Sequence, residues 1–551
     1  MSKSLELVPF RHWIVARAED DHTALRFEDA SWTYREAIRA AADRAAFLLA
    51  EGRAGRPLHV GVLLENVPEF WFWLAAAALS GGVVVGINPT RRGSELARDI
   101  AHTDCQWIVT DARHRGLLAG LGLEAEILEI DAEGYGARLA PHAGAPLPEV
   151  EVAMGDLLLL IFTSGTSGAP KAVRCSQGKL SFAAQNLAGI AKLGPQSVGY
   201  LAMPMFHSNC LFTGFGPLLF AGGTAVLKRK FSASQTLPDI RRYGCTYMNY
   251  VGKPLSYILA QPDRPDDADN PLELVFGNEA ADLDIERFGK RFGVPVLDAY
   301  GSTETGASVR RVDGMPKGAL GRGDDALKIL DPETERECPR GVFDERGRLR
   351  NAEEAIGELV NTRGVDLFEG YYKNDEANAK RTRNGWFWTG DLAYKDAEGF
   401  LYFAGRDFEW LRVDGENFSA APVERLLARF PGVVLAAVYA VPDEDVGDQV
   451  MAALQMRDPE AFDPAAFDAF LAEQEDLGTK WAPRYVRVSR ALPVTETSKV
   501  QKRKLRAERW ECDEPVWFRP EAGAALRLLS ARDREALRAA FVARGRESAL
   551  I

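Results

Sequence analysis

Short stretches of Val, Leu, Ile and Phe alternate with helix-like stretches along most of the chain, and this alternation strongly constrains the fold. Several apolar stretches end at a polar or glycine-rich loop, as in 198–209 (VGYLAMPMFHSN), 271–280 (PLELVFGNEA) and 295–305 (PVLDAYGSTET). Alternating strands and helices favour a mostly parallel sheet, which binds ligands beyond the carboxyl ends of its strands. The sequence therefore predicts an α/β fold with its site at these loops.

The chain is too long for a single hydrophobic core. Its 551 residues predict one large domain and at least one smaller one. Beyond Gly405 and Arg406 the pattern changes to a compact strand-turn-strand unit at 433–455, followed by a helix and a basic tail. We therefore expect an N-terminal domain at 1–406 and a smaller C-terminal domain at 407–551.

Two patterns near the start of the chain mark element boundaries. Thr33 and Glu36 have the spacing of a capping box ahead of an Ala-rich amphipathic helix that ends at Gly52. Residues 70–87 are all uncharged, and their number is close to the minimum for a membrane-spanning helix. Ser80-Gly81-Gly82 interrupts them, so we predict a helix of about ten residues and a short strand.

Charge and cysteine content argue against several classes of protein. The net charge is −12, which argues against nucleic-acid binding. The six cysteines, at 105, 175, 210, 245, 338 and 512, form no CxxC pair, so we expect free thiols in a reducing cytosol. The N-terminal MSKSLELVPFRHW lacks the apolar core of a signal peptide. These features predict a cytoplasmic protein with at most peripheral membrane contact.

Residues 163–171, TSGTSGAPK, form the most informative local motif and are called the glycine-rich loop below. Its glycines let backbone N–H groups turn toward one anion, its hydroxyls add donors, and Lys171 adds a compact positive charge. Lys171 follows Ala169-Pro170 and precedes Ala172, so the motif is not a Walker A loop. The alternative is a flexible linker, but such linkers rarely contain Pro-Lys. The motif favours phosphate binding after a buried strand at 157–162.

Four further segments accompany this loop: FGNEAAD (276–282), YGSTETG (300–306), GWFWTGD (385–391) and TSKVQKRKLR (497–506). With the loop they resemble the adenylate-forming superfamily of acyl-CoA synthetases, nonribosomal-peptide adenylation domains and luciferases. Segments 205–262 and 410–418 are similar to the branch of fatty-acid transport proteins and very-long-chain acyl-CoA synthetases. The resemblance covers nearly the whole chain. It implies a large, multi-subdomain α/β N-terminal domain and a smaller, mobile α+β C-terminal domain.

The resemblance implies a fatty acid–CoA ligase. Such an enzyme uses ATP to convert a medium- to very-long-chain or steroid side-chain carboxylate into an acyl-adenylate, and then transfers the acyl group to coenzyme A. The implied small molecules are the carboxylic acid, ATP, Mg²⁺ and coenzyme A, and we expect a monomer or homodimer. Two alternatives stay open: an acyl-AMP ligase that loads a carrier protein, and a lipid-binding or transport protein with a vestigial ligase fold.

By resemblance, the nucleotide site is assembled from the loop and the segments after it. Glu304 is the expected Mg²⁺ ligand, Thr303 donates its hydroxyl to a phosphate, and Tyr300 stacks on adenine. The loop Gly277-Asn278-Glu279 contributes its backbone edge and the Asn278 amide to the base. Asp391 accepts from the ribose hydroxyls, and Arg406 supports the same sugar. The residues expected to bind ATP or AMP are Thr163, Ser164, Gly165, Thr166, Ser167, Gly168, Lys171, Gly277, Asn278, Glu279, Tyr300, Gly301, Ser302, Thr303, Asp391 and Arg406.

The expected catalytic residues are Lys499, Thr303 and Glu304. The resemblance assigns Lys499, from the C-terminal domain, to bridge the substrate carboxylate and the α-phosphate. Negative charge concentrates there in the transition state, so a positioned cation has its largest effect. The neighbouring basic residues of 502–506 are expected to be a solvated helix face.

The second half-reaction is expected to use another face of the C-terminal domain, which presents the loop containing Gly415 and Glu416 to coenzyme A. Phe408, two residues after Arg406, stands where the wider family usually has an Asp or Lys hinge. The fatty-acid transport branch also lacks a charged residue there, so we expect a displaced hinge.

The sequence determines the acyl site least. A long acyl chain requires an extended apolar tunnel, because each buried methylene contributes about 0.8 kcal/mol. By resemblance, His207 in PMFHSN matches a family position near the tunnel mouth, although a lone histidine is often structural. Aromatic side chains at these positions fit a ligand wall and a plain core equally well. The resemblance gives the candidates, which lie in the segments that line the tunnel in relatives: Met203, Phe206, His207, Phe212, Phe215, Tyr247 and Tyr250.

Overall fold

The fold is described from a computed structural model. It describes residues 7–163, 171–345, 349–365, 367–405, 410–413, 416–444, 448–474, 477, 480–495, 500–521, 523–544 and 550, with the backbone alone at 353, 410, 412, 416, 417 and 419. The chain divides into two compact units: Met1–Gly306 with Val365–Arg383, and Ala307–Gly364 with Asn384–Ile551.

The strands are numbered in chain order. They are β1 (Thr23–Phe27), β2 (Ala30–Thr33), β3 (His59–Leu63), β4 (Val83–Gly86), β5 (Trp107–Thr110), β6 (Glu126–Glu129), β7 (Leu157–Phe162), β8 (Ala172–Ser176), β9 (Val198–Leu201), β10 (Thr224–Leu227), β11 (Tyr247–Val251), β12 (Leu274–Asn278), β13 (Val296–Tyr300), β14 (Val309–Arg310), β15 (Gly321–Arg322), β16 (Leu327–Leu330), β17 (Gly357–Asn361), β18 (Phe387–Lys395), β19 (Phe400–Gly405), β20 (Trp410–Val413), β21 (Glu416–Ser419), β22 (Val433–Pro442), β23 (Asp448–Met456), β24 (Tyr485–Ser489), β25 (Val516–Phe518) and β26 (Arg527–Leu528).

The helices are numbered in the same way. They are α1 (Phe10–Val15), α2 (Tyr34–Glu51), α3 (Pro68–Ser80), α4 (Gly93–His102), α5 (Ala112–Arg115), α6 (Glu133–Leu139), α7 (Gln177–Ile190), α8 (Gly216–Ala221), α9 (Ala233–Tyr243), α10 (Pro254–Leu259), α11 (Asp282–Phe292), α12 (Ala352–Ala355), α13 (Asp375–Arg381), α14 (Ala420–Leu427), α15 (Pro464–Glu473), α16 (Lys502–Glu508) and α17 (Ala531–Ala543). Short 3-10 helices cover Gly116–Leu118, Ala140–His142, Arg383–Gly385 and Pro459–Ala461, and a π-helix covers Cys210–Phe215.

The first unit contains two sheets that are mostly parallel. One has the order β6-β5-β3-β4-β7-β8, and only β7 and β8 pair antiparallel in it. The other has the order β13-β12-β11-β9-β10-β1-β2, with β1 and β2 antiparallel. Every residue of β3, β4 and β5 is buried, as expected for a parallel sheet covered on both faces. This arrangement confirms the predicted α/β class.

Local sequence explains the early helices. Thr33 caps α2 by accepting from the Glu36 N–H, and the Glu36 side chain accepts from the Thr33 N–H, which completes the predicted capping box. Helix α3 ends at Gly81, whose φ of 71° suits glycine, and β4 follows at once. The predicted split of 70–87 is therefore confirmed, and α3 is buried on all sides because it is apolar on all sides. Among the described residues, none of the helices combines the length and apolar character that a membrane crossing requires.

The second unit contains an antiparallel sheet of order β16-β17-β18-β19-β15-β14, the β20–β21 hairpin and a sheet of order β22-β23-β24-β25-β26. The predicted strand-turn-strand unit is confirmed, since β22 and β23 pair antiparallel along their length. Apolar side chains of β22, β23 and β24 pack with those of α14 and α15 in one core. The boundary between 406 and 407 stays a prediction, because both residues lie outside the described ones.

Candidate active site

Strands β12 and β13 bring two of the predicted segments together. They are adjacent and parallel, with Gly277 opposite Asp298, so their carboxyl ends lie at the same edge of the sheet. Gly277 and Asn278 are the last residues of β12, and Tyr300 is the last residue of β13. The prediction that Gly277 and Asn278 lie in a loop is wrong. The strand extends further because ladder pairing to β11 continues through Asn278.

The end of β12 is held by close packing and by amide bonds. The Asn278 side-chain nitrogen donates to the Ala299 carbonyl at 2.5 Å, and its oxygen accepts from the Asn209 amide at 3.4 Å. A Cβ on Gly277 would come within 2.5 Å of the Tyr250 ring and of its carbonyl oxygen. Glycine is thus required by the close approach of β11.

The loops after β12 and β13 each contain a residue in the left-handed region that is not glycine. Glu279 has φ 69° and Thr305 has φ 57°. Such conformations are costly for residues with a Cβ, and they occur often at functional sites. Ser302 begins the second turn, because its carbonyl accepts from the Thr305 N–H at 3.0 Å.

The glycine-rich loop joins β7 to β8. Its ends are tied by a hydrogen bond of 3.1 Å from the Thr163 N–H to the Lys171 carbonyl. Residues 164–170 lie outside the described residues, and with them the candidates Ser164, Gly165, Thr166, Ser167 and Gly168. Burial lowers the pKa of Lys171, and the charge of Arg381 lowers it further.

Thr303 and Glu304 are both buried, with 6% and 9% of their surface exposed. The Thr303 and Ser208 hydroxyl oxygens are 2.7 Å apart, and Glu304 Oε1 accepts from the Tyr371 hydroxyl at 2.9 Å. Lys171 Nζ lies 5.8 Å from the centre of the Tyr371 ring. The structure therefore brings the predicted Lys171, Thr303 and Glu304 into one neighbourhood.

Sequence reasoning missed four residues of this neighbourhood. The amine of Lys179, which is buried, donates to the backbone carbonyl of Glu304 at 3.2 Å, and burial lowers the pKa of Lys179. Arg381 Nε donates to the Tyr371 hydroxyl at 3.2 Å. Ser208 and Tyr371 are the others. Only Ser208 adjoined a recognised motif, because it follows His207 in PMFHSN.

Glu304 is the carboxylate that could hold a metal ion here. Among the described residues, no group of three or more His, Cys, Asp or Glu side chains is arranged to do so. Mg²⁺ is commonly bound by one or two carboxylates together with substrate phosphates. One buried carboxylate next to the glycine-rich loop fits a magnesium ion that enters with a nucleotide.

Asp391 lies in the second unit, on β18. It is buried, and its N–H donates to the Thr389 hydroxyl at 3.1 Å. The preceding Gly390 has φ 71° and donates its N–H to Glu358 at 2.6 Å. Arg406, Gly415 and Lys499 lie outside the described residues, and for Glu416 only the backbone is described.

The candidates for the acyl site lie mostly in the core of the first unit. Tyr250 is completely buried, and its hydroxyl donates to Asp298 Oδ2 at 2.6 Å. Phe206 is buried with its backbone against Gly86, and His207 is half-buried with its N–H bonded to the Pro204 carbonyl. Met203, Phe212, Phe215 and Tyr247 are buried as well. Their contact with an acyl chain stays a prediction.

The fold and the site define an adenylate-forming enzyme, and the chain belongs to the AMP-binding enzyme family. The model of that family matches residues 12–372, and the model of the AMP-binding enzyme C-terminal domain matches residues 422–499. Both matches confirm the superfamily predicted from the motifs.

Similar proteins cover nearly the whole chain. A steroid-22-oyl-CoA synthetase from Rhodococcus jostii is 50% identical over 520 residues, which are 93% of each chain. A medium/long-chain-fatty-acid–CoA ligase, FadD17 of Mycobacterium marinum, is 48% identical over 92% of this chain and 97% of its own. Among solved structures, ATP-bound MatB from Rhodopseudomonas palustris matches with a TM-score of 0.76 and 26% identity, over 90% of this chain and 97% of MatB.

Proposed function

We propose that this chain is an ATP-dependent, AMP-forming acyl-CoA ligase that acts on a hydrophobic carboxylic acid. The acid is a medium- to very-long-chain fatty acid or the side-chain carboxylate of a steroid. The observation that carries this proposal is the neighbourhood of Lys171, Thr303 and Glu304 at the ends of the glycine-rich loop and β13. The extensive identity to two CoA ligases supports the same reaction.

Each residue has a distinct task in the first half-reaction. A carboxylate is a poor acylating agent. Its attack on the α-phosphate of ATP breaks the α–β phosphoanhydride bond, expels pyrophosphate and gives a mixed anhydride whose leaving group is AMP. Lys171 and the loop N–H groups neutralise the phosphates, and Thr303 donates its hydroxyl to one of them. Lys499 supplies a cation at the α-phosphate, where charge develops.

The base is bound at the edge formed by β12 and β13. An amide nitrogen carries two protons, so the bond from Asn278 to Ala299 leaves one for adenine. Tyr300 offers its ring as a stacking surface, and the backbone of Gly277 and Glu279 lines the same edge. Asp391 and Arg406 bind the ribose.

Magnesium, when bound with ATP, screens the charge of the phosphates. Glu304 would be its protein ligand, because it is the carboxylate buried next to Lys171. Lys171 and Glu304 have opposite charges, which suits a site that must hold an anion and a cation together.

The second half-reaction transfers the acyl group to coenzyme A. A C-terminal domain at 407–551 would rotate away after adenylation, withdraw Lys499 and present the Gly415-Glu416 loop to coenzyme A. The arrangement of domains, the monomeric or homodimeric state and the cytoplasmic location are further parts of this proposal.

The test is an assay of purified protein with ATP, Mg²⁺ and a panel of acids. The panel contains saturated fatty acids of increasing chain length and steroid acids with side chains of different lengths. We expect pyrophosphate release that depends on the acid, with AMP and acyl-CoA formed when coenzyme A is present. Release of pyrophosphate with accumulation of an acyl-adenylate, but no thioester when coenzyme A is present, would favour an acyl-AMP ligase. No consumption of ATP with any acid would favour a vestigial fold.

A further inference from the structure

The 370–373 segment, Gly-Tyr-Tyr-Lys, lies along the outer edge of β8. Two backbone hydrogen bonds, of 3.0 and 2.8 Å, and an antiparallel bridge between Val173 and Tyr371 hold it there. Successive side chains of an extended segment point to opposite faces. The two neighbouring tyrosines, Tyr371 and Tyr372, therefore meet different partners.

The hydroxyl of Tyr371 is placed between a cation and a carboxylate. Arg381 Nε is 3.2 Å from the hydroxyl oxygen, and Glu304 Oε1 is 2.9 Å from it. A guanidinium can only donate, so the hydroxyl oxygen accepts from Arg381 and its single proton is directed to Glu304. The direction of this bond is thus fixed, and Tyr371 is 2% exposed, which excludes water as a competitor.

The backbone that carries Glu304 is tied to the same part of the chain. The Thr305 hydroxyl lies 2.9 Å from the Leu367 carbonyl, three residues before Gly370. Lys179 Nζ donates to the Glu304 carbonyl at 3.2 Å. Both the main chain and the carboxylate of Glu304 are therefore fixed.

The hydroxyl of Tyr372 has an unrelated partner. It donates to Asp104 Oδ2 at 2.7 Å, and Lys373 Nζ binds the same oxygen at 2.5 Å. The Tyr372 ring stacks edge-on with His59 at 5.6 Å between centroids. Tyr372 thus offers a side chain of the same chemistry, one residue away, that does not contact Glu304.

We propose that Tyr371, backed by Arg381, is a positioning residue that orients the Glu304 carboxylate toward the magnesium ion of the bound nucleotide. A carboxylate with one oxygen bound to a fixed donor has lost most of its rotational freedom, and it presents the other oxygen in a defined direction. This inference rests on the proposed function, because it assigns Glu304 to the metal. It adds a residue that acts by orienting Glu304 and does not itself contact the reacting atoms.

The test compares Tyr371→Phe with Tyr372→Phe, which remove the same atom from neighbouring residues. The first readout is the affinity for a non-hydrolysable ATP analogue, measured by calorimetry with and without Mg²⁺. In the native protein Mg²⁺ should increase this affinity. We expect Tyr371→Phe to reduce that increase about tenfold, as for loss of a hydrogen bond to a charged group, and Tyr372→Phe to leave it unchanged.

A second readout is the Mg²⁺ concentration that gives half-maximal pyrophosphate release. It should rise in Tyr371→Phe, and Arg381→Gln should shift it in the same direction by a smaller factor. Arg381 is half-buried on α13, so this variant tests the idea even if Tyr371→Phe fails to fold. Thermal unfolding monitors the stability of every variant.

The outcomes separate this inference from the proposed function. Equal Mg²⁺ dependence in the native protein, Tyr371→Phe and Arg381→Gln would overturn the positioning role. It would also be overturned if Tyr372→Phe reduced the Mg²⁺-dependent increase in affinity as much as Tyr371→Phe does. A native protein that couples Mg²⁺ to nucleotide binding but turns over no acid would leave the positioning role in place and overturn the ligase activity.

Discussion

The hydroxyl oxygens of Thr303 and Ser208 lie 2.7 Å apart, and both side chains are buried. Thr303 belongs to the turn after β13, whereas Ser208 precedes the π-helix at Cys210–Phe215. Thr303, the proposed donor to phosphate, is therefore held by a residue that lies far away in the sequence. The orientation of the Thr303 hydroxyl depends on this partner.

Thr303→Val should remove a positioned donor to phosphate. The loss of one such donor typically lowers the rate about a hundredfold or more, and the adenylation rate should fall by this amount. Ser208→Ala should give a smaller loss, because it removes only the group that orients Thr303. ATP–pyrophosphate exchange measures both. As a control, Ser181→Ala removes a buried hydroxyl that accepts from Trp13 Nε1, and it should leave exchange unchanged. A loss of exchange in all three variants would show that they act only through the stability of the protein.

Lys499→Ala should separate the two half-reactions. Lys499 serves only adenylation in the proposed mechanism, so pyrophosphate release should fall by several orders of magnitude while a supplied acyl-adenylate is still converted to thioester. A loss of about 2.7–4 kcal/mol of transition-state stabilisation is usual for one positioned donor, and a full charge should cost at least as much. The matched control is Lys504→Ala on α16, where the side chain is 60% exposed, and adenylation should be retained. Equal loss of both half-reactions in Lys499→Ala would refute the division of tasks.

Gly277→Ala should destabilise the protein even without ligand. The new Cβ would lie within 2.5 Å of the Tyr250 ring and carbonyl, and overpacking of this kind usually costs about 1–3 kcal/mol. Gly301→Ala is the matched control, because a Cβ there meets no atom within 4 Å. Urea denaturation of both variants measures their free energies of unfolding. Equal values would show that β11 and β12 can separate to admit a methyl group.

Acidification should destabilise the protein through His59. This side chain is buried at the start of β3, its Nδ1 lies 2.7 Å from the Thr103 carbonyl oxygen, and burial lowers its pKa. The unfolded chain then binds a proton more readily than the folded one, so stability is lost as the pH falls below the ordinary histidine value of about 6.5. The nearby charged groups are Asp104, Lys373 and Arg174.

His59→Asn keeps a donor close to the Nδ1 position and removes the titrating group. The free energy of unfolding should fall less steeply with acidification in this variant than in the native protein, by at most about 1.4 kcal/mol per pH unit. His12→Asn, at an exposed position, should follow the native profile. Parallel profiles for all three proteins would exclude His59 as the source of the acid sensitivity.

Local patterns predicted much of the fold. The capping box at Thr33, the glycine break at 80–82 and the apolar stretch before the glycine-rich loop each depend on residues within one or two turns of chain. Such patterns determine helix ends and strand burial directly. The predicted loop at Gly277-Asn278 is wrong, because ladder pairing with β11 depends on a partner strand and overrides the loop-like local sequence.

The candidate site was predictable where it follows motifs and unpredictable where it depends on distant partners. Lys171, Thr303 and Glu304 lie in short segments whose residue types suit phosphate and metal chemistry. Tyr371 is 67 residues from Glu304 in the sequence, and Lys179 reaches the same loop from α7. Contacts of this kind leave no periodicity or local composition by which a single sequence could reveal them.

The 370–373 segment also covers one edge of a sheet, because it bonds to the backbone of β8. Edge strands with unpaired N–H and C=O groups can pair with strands of other chains, and long apolar edge strands promote aggregation. Along β8 these groups are partly occupied by bonds to residues 370 and 372. Truncation or proteolysis within this segment should therefore reduce solubility as well as catalysis, because it would uncover a strand that is apolar for most of its length.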